Sequence, residues 1–291
     1  MISKVLKINH LVQALLAGLT YTLGAGIAHY LGNSIKFDVF SIGLLASLAL
    51  QGSAFFLADY FRLPWTPLDP EESFRQREKF RMLLLLFSYA ALALSTIFML
   101  DMLLTHTITL SAGIFYLMIL VCLMAYAIPP FRLSATGFGE FVNAVFLGTF
   151  LPTFAFLLQT GSLHRLVFFN TFPFTLLTLA FLLAWDFPTF ATDQKLAHDT
   201  LLTRLTWQRA VPIHHSLILF SFLFFSFAPF LDIPWGVIWP VFLALPIAVL
   251  QIYWLQQIAN GGRAFWNFFS AIATATIGLS AYLLLLTFWI R

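Results

Sequence analysis

Apolar residues run along this chain in long blocks, not in the i, i+3, i+4 stripes of a soluble helix or the alternation of a half-buried strand. Blocks interrupted only by charges, prolines and glycine pairs predict helices that cross a hydrocarbon core, each crossing taking about 20 mostly apolar residues. Nine such segments follow one another, over roughly 8–31, 38–61, 80–101, 107–128, 138–160, 165–187, 211–230, 233–257 and 264–290. The predicted fold class is an all-α integral membrane protein of nine transmembrane helices, with residues 1–291 forming a single membrane domain. The first segment follows Lys4 and Lys7, as the apolar stretch of a signal peptide does. It is too long for one and lacks a polar cleavage zone, so it reads as a retained span.

Composition narrows the class further. Only 9% of the 291 residues are charged and 60% are hydrophobic, 35 of them phenylalanine. Soluble domains carry charge on about a quarter of their positions, so a soluble enzyme is excluded. Disorder is excluded by the same hydrophobicity. The lone Cys122 has no partner for a disulfide framework and reads as a small buried hydrophobe. A net charge of +3 gives no reason to expect nucleic acid as a partner; membrane lipid is the expected surroundings.

The few charges matter for where they fall. Of the 15 Lys and Arg residues, only Lys36, Arg165 and Arg291 lie on one side of the predicted spans. The rest share the other side with the N-terminus, which the positive-inside rule makes cytoplasmic, leaving the C-terminus external. Trp235, Trp239, Trp254, Trp266 and Trp289 stand near span ends, where amphipathic rings favour the interface. Most acids belong to the cytoplasmic side too, among them Asp59, Asp69, Glu71, Glu72, Glu140, Asp186 and Asp193. The expected localisation is the cell membrane, multi-pass, with any active site on the cytoplasmic face.

Polar residues gather there in three clusters. The first is Asp59-Tyr60-Phe61-Arg62 with Asp69-Pro70-Glu71-Glu72; the second runs from Tyr126 through Pro129-Pro130 and Arg132 to Glu140; the third spans Asp186 to Lys195 and continues to Arg204. Carboxylates at two helix ends, with cations between them, suit Mg²⁺ held against a diphosphate, because Mg²⁺ takes one or two carboxylates plus substrate phosphates. Arg132 and Lys195 are then phosphate ligands, arginine bidentately. The alternative is that these groups are interfacial anchors and helix caps. The His214-His215 pair reads as packing, since adjacent residues on a helix point about 100° apart.

The segment Tyr126-x-x-Pro129-Pro130-x-Arg132-Leu133, followed by Gly137-x-Gly139-Glu140, resembles the UbiA superfamily of intramembrane prenyltransferases. Asp193-Gln194-Lys195, Thr200-Leu201 and Arg204-Leu205 extend the likeness, and its flavour is that of the 1,4-dihydroxy-2-naphthoate polyprenyltransferases of menaquinone synthesis. The resemblance implies a UbiA-type helical bundle and a transferase of alkyl groups. Its substrates are a polyprenyl diphosphate and an aromatic acceptor or quinone, and its cofactor is Mg²⁺. It implies catalytic roles for Asp186, Asp193 and Asp59. It implies metal ligation by Asp193, Asp186 and Asp69, and substrate binding by Tyr126, Arg132, Lys195, Arg204 and Arg62. The family's motifs are altered here: Ala58, Arg62 and Thr66 occupy the positions of its first amide-and-acid set, and Thr189 that of an acid in its second. Those losses keep open a second function, a catalytically degenerate homologue that binds quinone, pigment or isoprenoid as a subunit of a membrane complex.

Overall fold

The computed structural model describes residues 8–62, 74–196 and 198–291, without the side chains of 8–9 and 74–77. Among the described residues the secondary structure is entirely helical, and nine helices are long and apolar enough to cross a membrane. The protein is a multi-pass membrane protein. In chain order α1 is Ile8–Tyr30, α2 Phe37–Tyr60, α3 Phe74–Leu104 and α4 Leu110–Ala127. The fifth span joins α5, Gly139–Val145, to α6, Leu151–Thr160, through a wide π turn at Phe146–Phe150. Then come α7, Arg165–Asp186, two short helices α8, Phe190–Lys195, and α9, Leu201–Leu205, and the span α10, Trp207–Ser226. The eighth span opens with the short α11, Trp235–Ile238, and a 3-10 stretch before α12, Leu245–Ala259; α13 is Trp266–Ile290.

Prolines set the irregular turns. Pro152 has no N–H to continue the ladder and its ring crowds the preceding turn. The span widens into the π turn directly before it, as interrupted helices do. Pro234, Pro240 and Pro246 punctuate the eighth span, whose first α turn at Trp235–Ile238 gives way to a 3-10 stretch before α geometry resumes at Leu245. In α7, Pro173 sits inside the helix and its carbonyl accepts a hydrogen bond from Ser221 Oγ at 2.7 Å. That pins α7 to α10 with a polar contact in a setting where no water competes.

The fifth span and α7 are the buried centre, whereas α3 and α4 expose most of their side chains. Polar pins recur where α3 leans on its neighbours: Ser53 and Ser88 hydroxyls pair at 3.0 Å, and Ser95 Oγ bonds the Ala46 carbonyl and the Tyr116 hydroxyl, each at 2.7 Å. Ser95 and Tyr116 are buried. Ser95→Ala leaves the Tyr116 hydroxyl without this partner, and the expected loss is about 1 kcal/mol. Thermal melting in detergent checks it: a fall of a few degrees is expected, and no fall at all contradicts the pinning role.

Candidate active site

A cavity of about 440 Å³ opens where the first residues of α1 and α5 meet the last residues of α2, α4 and α7. All three clusters singled out in the sequence border it. Two loops cover it: Arg132, Ser134 and Ala135 come from the α4–α5 connection, and Leu196, His198 and Thr200 from the α8–α9 connection. The loops are tied together, Gly137 N–H donating to the Asp199 carbonyl at 3.1 Å. Gly137 is at φ +73°, and a Cβ there would meet the Arg204 side chain at 2.4 Å, so glycine permits this closure.

One wall is acidic. Asp186 ends α7 and Glu140 lies in the first turn of α5, and the two carboxyls interact side chain to side chain. Glu140 Oε2 also accepts the Leu201 N–H at 3.1 Å, which fixes the start of α9. The Oδ2 atom of Asp186 is out of contact with solvent and has no hydrogen-bond partner. Asp193, on α8, is engaged at both oxygens: the Thr189 hydroxyl donates to Oδ2 at 2.6 Å, and His198 Nδ1 lies 3.2 Å from Oδ1. His198 N–H also donates to the Asp193 carbonyl at 2.9 Å, so ring and backbone together turn the imidazole onto the carboxylate.

Another part of the lining carries arginines. Asp59 is buried near the end of α2, and Arg62, a turn later, pairs with it at 3.4 Å. Arg81, on α3, donates a short hydrogen bond to the Arg62 carbonyl. Arg132 holds its backbone at φ 42°, ψ 52°, a left-handed conformation that costs a residue with a Cβ roughly 1 kcal/mol. Its Nε is buried without a partner. Burial, then the nearby Arg62 and Arg81 guanidiniums, pull the Arg132 side chain below the usual arginine range.

The deeper lining is neutral. Asn143, one turn beyond Glu140, donates through Nδ2 to Gln13 Oε1 at 2.5 Å. His10 stacks on Phe55 with ring centroids 4.8 Å apart, and Phe55 meets Tyr126 edge-on at 6.3 Å. Leu182 and Trp185 complete this part from α7.

Of the residues expected from sequence, Asp59, Arg62, Tyr126, Arg132, Asp186 and Asp193 all line the cavity. Lys195 and Arg204 are exposed and do not line it; the Arg204 guanidinium lies 5.0 Å above the Phe138 ring. Asp69 and Thr66 fall outside the described residues. Sequence reasoning missed His10, Gln13, Asn143 and His198 as lining residues. Gln13 and Asn143 were findable as amides inside apolar spans, each one turn from another polar position, His10 and Glu140. His198 carried no signal, because only the fold of the α8–α9 loop returns it to Asp193.

The two parts of the lining differ as homes for a divalent cation. Among the described residues no three His, Cys, Asp or Glu side chains are placed to hold a metal ion. The acidic wall nevertheless has the donors Mg²⁺ takes, since the carboxyls of Asp186, Glu140 and Asp193 line one cavity, and Mg²⁺ completes its shell with phosphate oxygens and water. The arginine-bearing part does not fit one: Ala58 has no donor, and Asp59 is paired with Arg62.

No protein-family model matches the chain, and no curated protein matches it. Solved structures do. A structure described in terms of digeranylgeranylglyceryl phosphate synthase in membranes aligns with a TM-score of 0.58 at 15% identity, over 97% of this chain and 96% of its own. A UbiA homologue from Archaeoglobus fulgidus, bound to DMAPP and Mg²⁺, aligns with a TM-score of 0.58 at 15% identity, over 94% of this chain and 98% of its own. At that identity the likeness is one of fold.

Proposed function

We propose that this chain is a UbiA-type enzyme that transfers a polyprenyl group from an allylic diphosphate to an aromatic acceptor within the membrane, in menaquinone or related prenyl-lipid synthesis. The observation that carries the reading is the cavity itself: carboxyls of Asp186 and Asp193 and guanidinium-bearing Arg62 and Arg132 line one cavity at one end of the helical bundle. The fold shared with a homologue that binds DMAPP and Mg²⁺ supports it. The concentration of positive residues on the cavity's side of the spans supports a site on the cytoplasmic face.

The chain's residues divide the work. Arg62 and Arg132 hold phosphate oxygens, and Lys195 and Arg204 draw the anion towards the roof from outside. Asp186 and Asp193 would hold Mg²⁺, which when bound would supply charge neutralisation to the leaving diphosphate. Breaking the C–O bond leaves an allylic cation, and the Tyr126 and Phe55 rings offer it their π faces. The acceptor ring then forms the new bond and gives up its proton to water or to the released diphosphate.

A second reading rests on the same pairings. With Asp59 taken by Arg62 and both Asp193 oxygens engaged, the fold suits a homologue that binds a quinone or isoprenoid for a membrane complex without turning it over. An assay separates the two. Membranes carrying the protein, given labelled allylic diphosphates of several chain lengths, aromatic acceptors and Mg²⁺, are expected to yield labelled prenylated product. Failure to release diphosphate with any chain length or divalent metal favours the binding role and rejects the enzyme.

A further inference from the structure

The deeper lining pairs two amides, one of which the fold leaves half used. Asn143, on α5, and Gln13, on α1, are only 6% and 4% exposed, and the bond from Asn143 Nδ2 to Gln13 Oε1 at 2.5 Å joins the two helices. That bond fixes the sense of the Asn143 amide: with Nδ2 spent on Gln13, the Oδ1 oxygen is left over. Among the described residues nothing donates to it. The oxygen is not sealed inside the protein either, since Asn143 lines the cavity. A carbonyl oxygen on a side chain buried to this degree costs free energy unless a donor reaches it. The cavity's ligand is the place from which that donor comes.

The surroundings say what carries it. Phe55, Tyr126, Leu182 and Trp185 line the same cavity. The Trp185 indole N–H is already given to Thr274 Oγ1 on α13 at 3.2 Å, so this residue offers the cavity ring surface and no free polar edge. Flat apolar surface beside one oriented acceptor suits an aromatic ring that bears a hydroxyl. Oδ1 has no proton to give, so a carboxylate or a phenolate gains nothing from it, and Glu140 stands one turn before Asn143 on α5.

We infer that Asn143 selects the acceptor: its Oδ1 takes the hydrogen bond of an un-ionised ring hydroxyl, and the acceptor class is a phenol or hydroquinone held through that hydroxyl. Gln13 is a positioning residue that keeps the Asn143 oxygen turned to the cavity. The inference rests on the prenyl-transfer reading for the fate of the phenol, while the site itself is defined by binding. A ring hydroxyl enriches the carbons beside it in electron density, and those are the carbons an allylic cation attacks. Holding the hydroxyl therefore holds the nucleophilic carbons in register.

The probes are 1-naphthol and 1-methoxynaphthalene, which share a ring system and differ in the proton that Oδ1 accepts. Equilibrium binding of each to the purified full-length protein is measured in neutral detergent, alone and with inorganic pyrophosphate and Mg²⁺, with uptake by protein-free micelles subtracted. The wild type is expected to bind naphthol roughly tenfold tighter than the ether. Asn143→Leu is expected to bring the two within about threefold; where that variant does not fold, Asn143→Ala, which only removes atoms, takes its place. Gln13→Leu narrows the gap, and Gln13→Glu, which keeps an oxygen for Asn143 Nδ2, restores it. Arg263→Gln, a change in an exposed loop stacked on Phe265, leaves it as it was. Equal binding of the two probes by the wild type overturns the inference. So do tighter binding of the ether, the absence of saturable naphthol binding under both conditions, and a preference that survives the loss of Asn143. A naphthol preference that depends on Asn143, in a protein that transfers no prenyl group, leaves the site standing and removes the enzymatic reading. Prenyl transfer with no discrimination at Asn143 does the reverse.

Discussion

Asp186→Asn is expected to reduce kcat/KM for prenyl transfer by at least about 100-fold, roughly 3 kcal/mol of lost transition-state stabilisation, while the protein melts no lower than the wild type. Asp186 makes its side-chain contact with Glu140, yet its Oδ2 atom is shut away from solvent with no partner. A carboxylate oxygen in that state is a standing cost to the fold, since polar groups taken out of water lose more than a bond unless they are paired. An amide in its place keeps the shape, weakens the repulsion from Glu140 and removes much of that cost. A fold that retains an unsatisfied carboxyl oxygen on a residue lining this polar cavity is holding it for something brought in from outside. Parallel measurements of kcat/KM and melting temperature are the check. Activity within about threefold of wild type rejects the role, and a loss of activity accompanied by a clear fall in melting temperature makes Asp186 structural.

The same reasoning sets Asp186 apart from Asp193, which Thr189 and His198 already satisfy. The two look equivalent in the sequence, as acids seven residues apart at the end of one span. Their difference appears only when α8 folds back and the α8–α9 loop returns His198 to the cavity. Much of the rest was legible. Every expected span has an observed counterpart, because twenty apolar residues between charged loops have few alternatives in a bilayer. Boundaries moved where local chemistry outweighed hydropathy. The seventh span starts at Trp207, earlier than the apolar run, because Thr206 at φ 63° breaks the chain just before it and Pro212 is carried inside the helix. The eighth starts irregularly because three prolines interrupt it.

Arg62 shows what the resemblance alone left open. Counting along the motif puts an arginine where an acid is expected, and that substitution is compatible with a lost site or with a changed one. The structure gives the substitution a context: Arg62 is paired to Asp59, fastened by Arg81, and set beside Arg132. Arg81 itself lies in a separate span and belongs to no motif quoted from the sequence. Its nearness to Arg62 depends on α2 and α3 packing side by side, a tertiary fact without a local sequence signal.

Gly24→Val is expected to be the most destabilising single change in the described core, by about 3 kcal/mol or more. A Cβ at Gly24 would lie 2.0 Å from the Pro152 carbonyl oxygen and 2.6 Å from its carbon. That obstacle is backbone, so no rotamer change relieves it, and α1 and α6 must separate. Overpacking in cores costs typically 1–3 kcal/mol when side chains can yield, and here they cannot. Membrane helices rely on such small-residue crossings because lipid gives no hydrophobic drive for their association. Gly18, on the same helix, has nothing within 4 Å of its Cβ position. Gly18→Ala is therefore expected to be neutral or to stabilise by the helix-propensity difference, about 0.5–1 kcal/mol. The pair of variants, compared by melting temperature and by yield of monodisperse protein, tests close packing against a general intolerance of change in α1. Equal behaviour of the two rejects the crossing as the cause. The crossing also governs the site, because α1 carries His10 and Gln13 and the fifth span carries Glu140 and Asn143. Gln13 lies eleven residues before Gly24, roughly 16 Å along the helix, so a shift of α1 at Pro152 swings its far end away from Asn143. A partially folded Gly24→Val protein is accordingly expected to lose the 2.5 Å Asn143–Gln13 bond and widen the cavity, and with it to lose activity out of proportion to its fall in stability.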